Sequence, residues 1–444
     1  MALGGRGAQL QALLEQFERS ERLPAAQLEQ QQFERLAQLV TQAARHSPFY
    51  AQRLSDAGIA AGVVITPELW RRLPLLTRAE VQIHAASLQC RVLPSDCRVA
   101  GEVHTSGSTG RPIRVLKTEY EQLLWEALTL RDHRWHRRDF GGTLAAIRWY
   151  PDGVAAPPAG QRWPHWGAPV VHLHASGPSC GLSIAATSAQ QAHWLRAVQP
   201  DYLVAYPSLL PELARECRKQ GVELQNLKHI RTVSECVDDA VRAVARTQWG
   251  VPLHDIYSAQ EAGYIALQCP DSDNYHLQAE SAYVEIINEQ GEPCAAGESG
   301  RVVVTPLYNF AMPLLRYAIG DYAEAGDNCA CGRGLPVIKR ILGRTRNMLT
   351  LPDGDKVWPR LSELRYAEIL PVEQFQMVQK SRGRLEVRLV APRRASAGEE
   401  RRLREFIIAR IGHGFEIDFS YPAHIARGAG GKFEDFRSEL GGAA

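Results

Sequence analysis

No stretch of the 444-residue chain approaches 18 uninterrupted apolar residues, and the opening Met1-Ala2-Leu3-Gly4-Gly5-Arg6 lacks the apolar centre of a secretory leader. The expectation is a cytoplasmic protein with no membrane partner. Charge of one sign is also lacking: 51 Lys and Arg stand against 49 Asp and Glu, a net +2. Without a basic face there is no case for a nucleic-acid partner. The densest basic run, Arg131 to Arg138, is interleaved with Trp135 and two histidines and reads as a solvated helix face. The nine cysteines are odd in number and scattered, which excludes a disulfide framework and points to core thiols or metal ligation. There is no internal repeat and no low-complexity tract.

What is present is an ordinary globular composition, 45% apolar and 23% charged, long enough for two or three domains. One stretch stands out. Thr105-Ser106-Gly107-Ser108-Thr109-Gly110-Arg111-Pro112 crowds glycines, hydroxyls and a guanidinium together. Glycine lets successive backbone N–H groups face one side, and Ser, Thr and Arg add donors, so the loop suits a phosphate. By composition alone it is equally a flexible turn. Apolar, strand-like residues flank it on both sides (Val99 and Val103, then Ile113 to Leu116), as in a hairpin. The loop fits neither G-x-x-x-x-G-K-[ST] nor G-x-G-x-x-G, so neither a P-loop kinase nor a Rossmann dehydrogenase is supported.

Helical spacing covers residues 8–46, and Thr66-Pro67 and Thr77-Arg78-Ala79-Glu80 read as helix starts. Thr118 to His136 is helical, Leu144 to Trp149 a strand, and Pro151 to Gly167 a long loop. An alternation follows: strand Val170 to His174, helix Ala189 to Val198, strand Tyr202 to Ala205, helix Ser208 to Gln220, strand His229 to Val233, helix Asp238 to Trp249, strand Leu253 to Ile256. That rhythm argues a mostly parallel sheet covered by helices. From Tyr275 the chain turns β-rich, with Ala282 to Ile287 and Gly300 to Thr305. Gly343 to Asn347 reads as a linker. Strands Phe375 to Gln379, Leu385 to Val390 and Phe415 to Tyr421 with helix Glu399 to Ile411 make a small separate domain. The fold class is α/β: a large N-terminal domain, 1–343, with mostly parallel sheets and a β-rich subdomain, then a small α+β domain, 344–444.

Further chemistry gathers at Asp255-Ile256-Tyr257-Ser258-Ala259-Gln260-Glu261-Ala262-Gly263, just past a predicted strand, where α/β folds hold ligands. Leu315-Arg316-Tyr317 through Gly320-Asp321, Gly343-Arg344-Thr345-Arg346, and Gly428-Ala429-Gly430-Gly431-Lys432-Phe433 complete the set. Each alone is an ordinary surface group. Their joint order resembles the adenylate-forming superfamily, and Met312 to Asp321 with Cys331-Gly332-Arg333-Gly334-Leu335-Pro336 through Arg344 resemble its phenylacetate-CoA ligase-like branch.

The resemblance, which covers most of the chain, implies ATP-dependent activation of a carboxylic acid to an acyl-adenylate with pyrophosphate release, then transfer to the thiol of coenzyme A. It implies that Thr105, Ser106, Gly107, Ser108, Thr109, Gly110 and Arg111 hold the phosphates, with Thr109 needed for the chemistry. Tyr257 and Ser258 would pack on adenine, Ser234 and Glu235 line its pocket, Glu261 contact Mg²⁺, and Asp321 and Arg344 hold the ribose. Lys432 would reach the carboxylate and α-phosphate on a mobile C-terminal domain hinged at Arg346. The branch's use of aromatic acids suggests one here, with Trp149, Tyr206, Ala259, Gly263 and Tyr264 as pocket candidates. The chain departs from the family pattern at Arg111 (usually Lys), Ser258 and Ser234 (usually Gly) and Arg346-Asn347 (usually an Asp pair). A carrier protein or an amine as acceptor, and a non-catalytic nucleotide-binding protein, are the alternatives; a homodimer is a possible assembly.

Cys269, His276, Cys329 and Cys331 form a second constellation, two short ligand pairs separated by a β segment and suited to tetrahedral Zn²⁺. Members of the resembling branch carry structural zinc in this region. Finally, Gly177-Pro178-Ser179-Cys180-Gly181 matches the G-x-S-x-G elbow of serine hydrolases, with His413 and His424 downstream. That elbow needs a helix at the serine, and the next cap signal is Ser188, so a plain turn is expected.

Overall fold

A computed structural model describes residues 5–105, 112–359, 366 and 368–440. The chain is mixed α/β and divides into two compact units: Met1–Leu144, Trp163–Ser179 and His254–Ile341; and Ala145–Arg162, Cys180–Leu253 and Leu342–Ala444.

In the first unit, helices Gly5–Ser20, Ala25–His46 and Pro48–Asp56 are followed by two short ones, Pro67–Arg71 and Arg78–His84. Their starts were legible as caps. Thr66 accepts from Leu69 N–H, and Thr77 and Glu80 close a reciprocal capping box. Thr118 and Glu121 form another at the head of helix Glu119–Trp135. Strands Val99–His104 and Arg114–Thr118 pair antiparallel, with Val103 opposite Val115 and His104 opposite Arg114, so the phosphate-loop candidate is a hairpin connection. The loop's own residues, 106–111, lie outside the described residues. A seven-strand run follows the order Ala282–Ile287, Ser299–Pro306, Tyr317–Ala325, Val337–Arg344, Tyr275–Leu277, Gly263–Gln268, Leu253–Ala259. Strand Leu253–Ala259 pairs antiparallel with Gly263–Gln268. Leu36, Leu39, Trp70, Leu73, Ile265, Val302 and Tyr317 centre this unit's core.

The second unit carries the parallel pairing: Tyr202–Ala205 lies beside His229–Val233, with helices Ser188–Val198, Leu210–Gln220 and Asp239–Trp249 supplying apolar faces. Its C-terminal part is a four-strand sheet ordered Glu416–Ser420, Arg384–Val390, Gln374–Ser381, Phe436–Ser438, with helix Ala397–Ile411 packed through Leu403 and Ile407. That helix starts in a Ser396/Glu399 capping box and stops at Gly412, whose φ of +79° suits glycine.

Three expectations need correction. Val170 to His174 is not a strand: Pro169 opens a helical turn, Ala168–Val171, and the N–H of His174 returns to the Val170 carbonyl at 2.8 Å. β-branched residues misled the reading, because proline sets a helical first turn. Gly343 and Arg344 end a strand, Val337–Arg344, and Thr345–Asn347 form a 3₁₀ turn. The basic run from Arg131 is not a solvated face. Arg131, Asp132, His133, His136 and Arg138 are all buried. Among the described residues, no helix is long and apolar enough to cross a membrane.

Candidate active site

In the first unit, Tyr257 and Asp321 meet. The phenol donates to Asp321 Oδ2 at 2.8 Å, and both side chains are buried. Gly320, at φ +87°, lets the strand Tyr317–Ala325 turn Asp321 toward its partner. Glu261 sits in the three-residue turn between the Tyr257 strand and Gly263–Gln268, where Gly263 takes φ +83°. Its backbone carbonyl accepts from Lys117 Nζ at 2.9 Å, and its carboxylate lies 3.4 Å from Tyr317 Oη. Lys117 also pairs with Glu121 at 2.9 Å, tying the turn to the strand that leaves the phosphate-loop candidate. Thr105, the last described residue before that loop, is buried. Its hydroxyl accepts from Arg78 at 2.8 Å, and its N–H donates to the Ile113 carbonyl at 3.1 Å. Ser258 faces Tyr264 and Ala259 faces Gly263 in the hairpin register. Tyr264 packs at a tilt of 43° against Trp125, 4.4 Å between centroids, and shares a 3.0 Å hydrogen bond with Thr129.

In the second unit, the loop bearing Lys432 is docked. Gly430 and Gly431 take φ of +73° and +75°. A Cβ on Gly431 would stand 3.0 Å from Ile184, 3.3 Å from Tyr206 and 3.4 Å from Trp149, so a side chain there would push these neighbours by a few tenths of an ångström on top of the unfavourable positive φ. Tyr206 donates its hydroxyl to Gly430 O at 2.9 Å and accepts from Trp149 N–H at 3.2 Å. Glu235 follows Ser234, a non-glycine residue at φ +75°, and its carboxylate accepts from Phe433 N–H at 2.6 Å and Ser208 N–H at 3.0 Å. Burial raises the Glu235 carboxyl above its ordinary range, against the pull of Arg427 3.6 Å away. Arg427, which the sequence reading missed, donates to Ser208 Oγ at 2.9 Å and Gly431 O at 3.2 Å. Three residues read from sequence as separate pocket pieces, Trp149, Tyr206 and Glu235, therefore converge on the lysine loop. Gly343 takes φ +115° and Arg344 ends the strand. Asn347, beside the proposed hinge at Arg346, donates to Phe436 O at 2.6 Å.

The four candidate metal ligands also converge. One donor atom from each of Cys269, His276, Cys329 and Cys331 lies within 4.8 Å of all the others. Cys269 and Cys329 sulfurs are 3.8 Å apart, and Cys331 Sγ is 3.3 Å from His276 Nε2. Burial lowers the His276 pKa to about 4, keeping the imidazole neutral, while its Nδ1 points at the Leu335 carbonyl 3.5 Å away. Tetrahedral thiolates at Zn–S distances near 2.3 Å stand about 3.8 Å from one another, so the donor set fits such an ion.

The hydrolase elbow fails on geometry. Ser179 begins a strand, Ser179–Ser183, not a helix, and its hydroxyl donates to the His165 carbonyl at 2.7 Å.

The CapK C-terminal domain family matches residues 352–438. The chain is 27% identical over 380 residues to a phenylacetate-coenzyme A ligase of Thermus thermophilus, covering 82% of this chain and 81% of that protein. It is 25% identical to the Escherichia coli K12 enzyme of the same name, covering 81% of each. Among solved structures it is similar to a 2-hydroxyisobutyryl-CoA ligase bound to an acyl-adenylate, with a TM-score of 0.74 at 19% identity over 95% of this chain and 92% of that one. The same ligase bound to adenylate and CoA in an open conformation gives 0.61. The ordered motifs, the relatives spanning four fifths of the chain and the shared architecture agree: the chain is similar over most of its length to phenylacetate-coenzyme A ligases and has the fold of the solved CoA ligases.

Proposed function

We propose that the chain activates a carboxylic acid with Mg-ATP and transfers the acyl group to coenzyme A, and that the acid is aromatic. The observation that carries this reading is the likeness, over about four fifths of both chains, to relatives named phenylacetate-coenzyme A ligase. In the first step a substrate carboxylate oxygen attacks the α-phosphorus and pyrophosphate leaves. In the second the thiol attacks the acyl carbon and AMP leaves. Chemistry of this kind is driven by positioning and charge neutralisation. Asp321, oriented by Tyr257, offers acceptors for ribose hydroxyls, with Arg344 assisting. Glu261 supplies a carboxylate for Mg²⁺, and Lys432 a cation for the carboxylate and α-phosphate. Thr105 and the loop residues Ser106 to Arg111 take the phosphates. Ala259, Gly263 and Tyr264 are pocket candidates on the hairpin, and Ser258 narrows the adenine side relative to glycine. Incubation with ATP, Mg²⁺, CoA and a panel of aryl and alkyl acids, with products resolved by mass, tests the proposal. AMP with an aroyl- or arylacetyl-CoA supports it. Acyl-adenylate that never reaches CoA would move the acceptor to a carrier protein or an amine.

We also propose that Cys269, His276, Cys329 and Cys331 hold a structural Zn²⁺, which would pin the turn before strand Tyr275–Leu277 to the segment before strand Val337–Arg344. The support is the four-donor convergence. Atomic emission on purified protein is expected to give one zinc per chain. A fully stable chain without metal would overturn the assignment.

A further inference from the structure

The segment that carries Lys432 is gripped on its backbone on both sides of the lysine. Before it, Tyr206 binds Gly430 O and Arg427 binds Gly431 O; after it, Glu235 binds Phe433 N–H. The segment needs such a grip. Two consecutive glycines at positive φ leave it many unfolded and misregistered conformations, and each costs free energy to order. The family resemblance assigned Glu235 to the adenine pocket, yet its carboxylate has both oxygens engaged elsewhere, on Phe433 N–H and Ser208 N–H, with Arg427 alongside. Its side chain is 8% exposed, so a carboxylate here is costly unless those partners are in place.

We propose that Glu235, with Tyr206 and Arg427, is a latch that sets the register of Lys432 for acid activation, and that it is released when the second step begins. This rests on the adenylation reading above. These are positioning residues: they touch the lysine's neighbours, and Lys432 alone addresses the reacting groups. A latch specific to one docking of the loop has a signature that neither an adenine contact nor general structural support shares. Its loss slows acyl-adenylate formation far more than thioester formation from a ready-made adenylate.

The test compares Glu235→Ala and Tyr206→Phe with wild type in the full chain. Acid-dependent ATP–pyrophosphate exchange and CoA acylation from supplied acyl-adenylate are measured side by side, with hydrogen exchange of the 428–433 amides as an activity-independent readout. Glu235→Ala is expected to lower exchange roughly tenfold to a hundredfold, as for a hydrogen bond to a charged group. Its thioester step should fall far less, its KM for ATP should hold, and the Phe433 amide should lose protection. Tyr206→Phe should show a smaller loss of the same pattern. Equal loss in both steps, or a raised KM for ATP with Phe433 still protected, returns Glu235 to the adenine pocket and overturns the latch. A wild type inert with every acid, in which Glu235→Ala still exposes Phe433, overturns the adenylation reading and leaves the docking role standing.

Discussion

Arg131 is 2% exposed, yet both terminal nitrogens of its guanidinium are engaged: it donates to Glu280 at 2.7 Å, Gln278 at 2.9 Å and the Phe17 carbonyl at 3.0 Å, and lies 4.3 Å over the Phe17 ring. Burial pushes the Glu280 carboxyl up, but Arg131, aided by Ser20, overcomes this and brings it below its ordinary 4.5. Removing one partner of such a pair strands a charge in the core. Arg131→Met is therefore expected to destabilise the chain by about 3–5 kcal/mol, read from urea unfolding, with loss near zero contradicting the network. The sequence showed the density of charge here but not its burial, because the partners lie about 110 and 150 residues away in Phe17 and Glu280. Arg316 repeats the lesson. Within a motif that marks the branch, it is a clamp, at φ +50°, fastened to Glu285 and to the Arg71 and Leu73 carbonyls.

Elements were most legible where a local rule decides them. The capping box at Thr77 is written in four consecutive residues and its helix starts there, and the helix read from Thr118 starts in a second box; the sequence reading missed a third, at Ser396, and began its helix at Glu399. Strands Tyr317–Ala325 and Val337–Arg344 were missed, since pairing with distant partners rather than local pattern makes them. In the C-terminal sheet, Glu386 joins three strands through Arg388 at 2.9 Å, Ser420 at 2.9 Å and Lys380 at 3.2 Å. Arg388 leads in holding its pKa down to about 2 from 4.5. A carboxyl depressed in the folded state contributes stability above its unfolded pKa and loses it as pH falls through the folded value. Between about pH 4.5 and 2 the sheet should weaken by roughly 0.5–1 kcal/mol, the small figure reflecting solvent screening. Glu386→Gln should flatten that part of the urea midpoint against pH; an unchanged slope would remove Glu386 from the account.

At the scale of the whole molecule, the order of motifs along the chain was the readable part of the site, and their pairing in space was not. Tyr257 with Asp321, and Glu235 with the Lys432 loop, are joined across 64 and 198 positions. If zinc ties the Cys269 and Cys329 segments, prolonged chelation should lower the thermal midpoint, and added Zn²⁺ should restore it. The central claim is adenylation by a lysine delivered on a glycine-rich loop. Acid-dependent ATP–pyrophosphate exchange in wild type and Lys432→Ala measures it most directly. The account predicts exchange with an aryl acid and a loss of about 10²–10³-fold in the variant, the scale of one preorganised donor at a transition state. Exchange absent with every acid despite tight ATP binding, or unimpaired in Lys432→Ala, would contradict it.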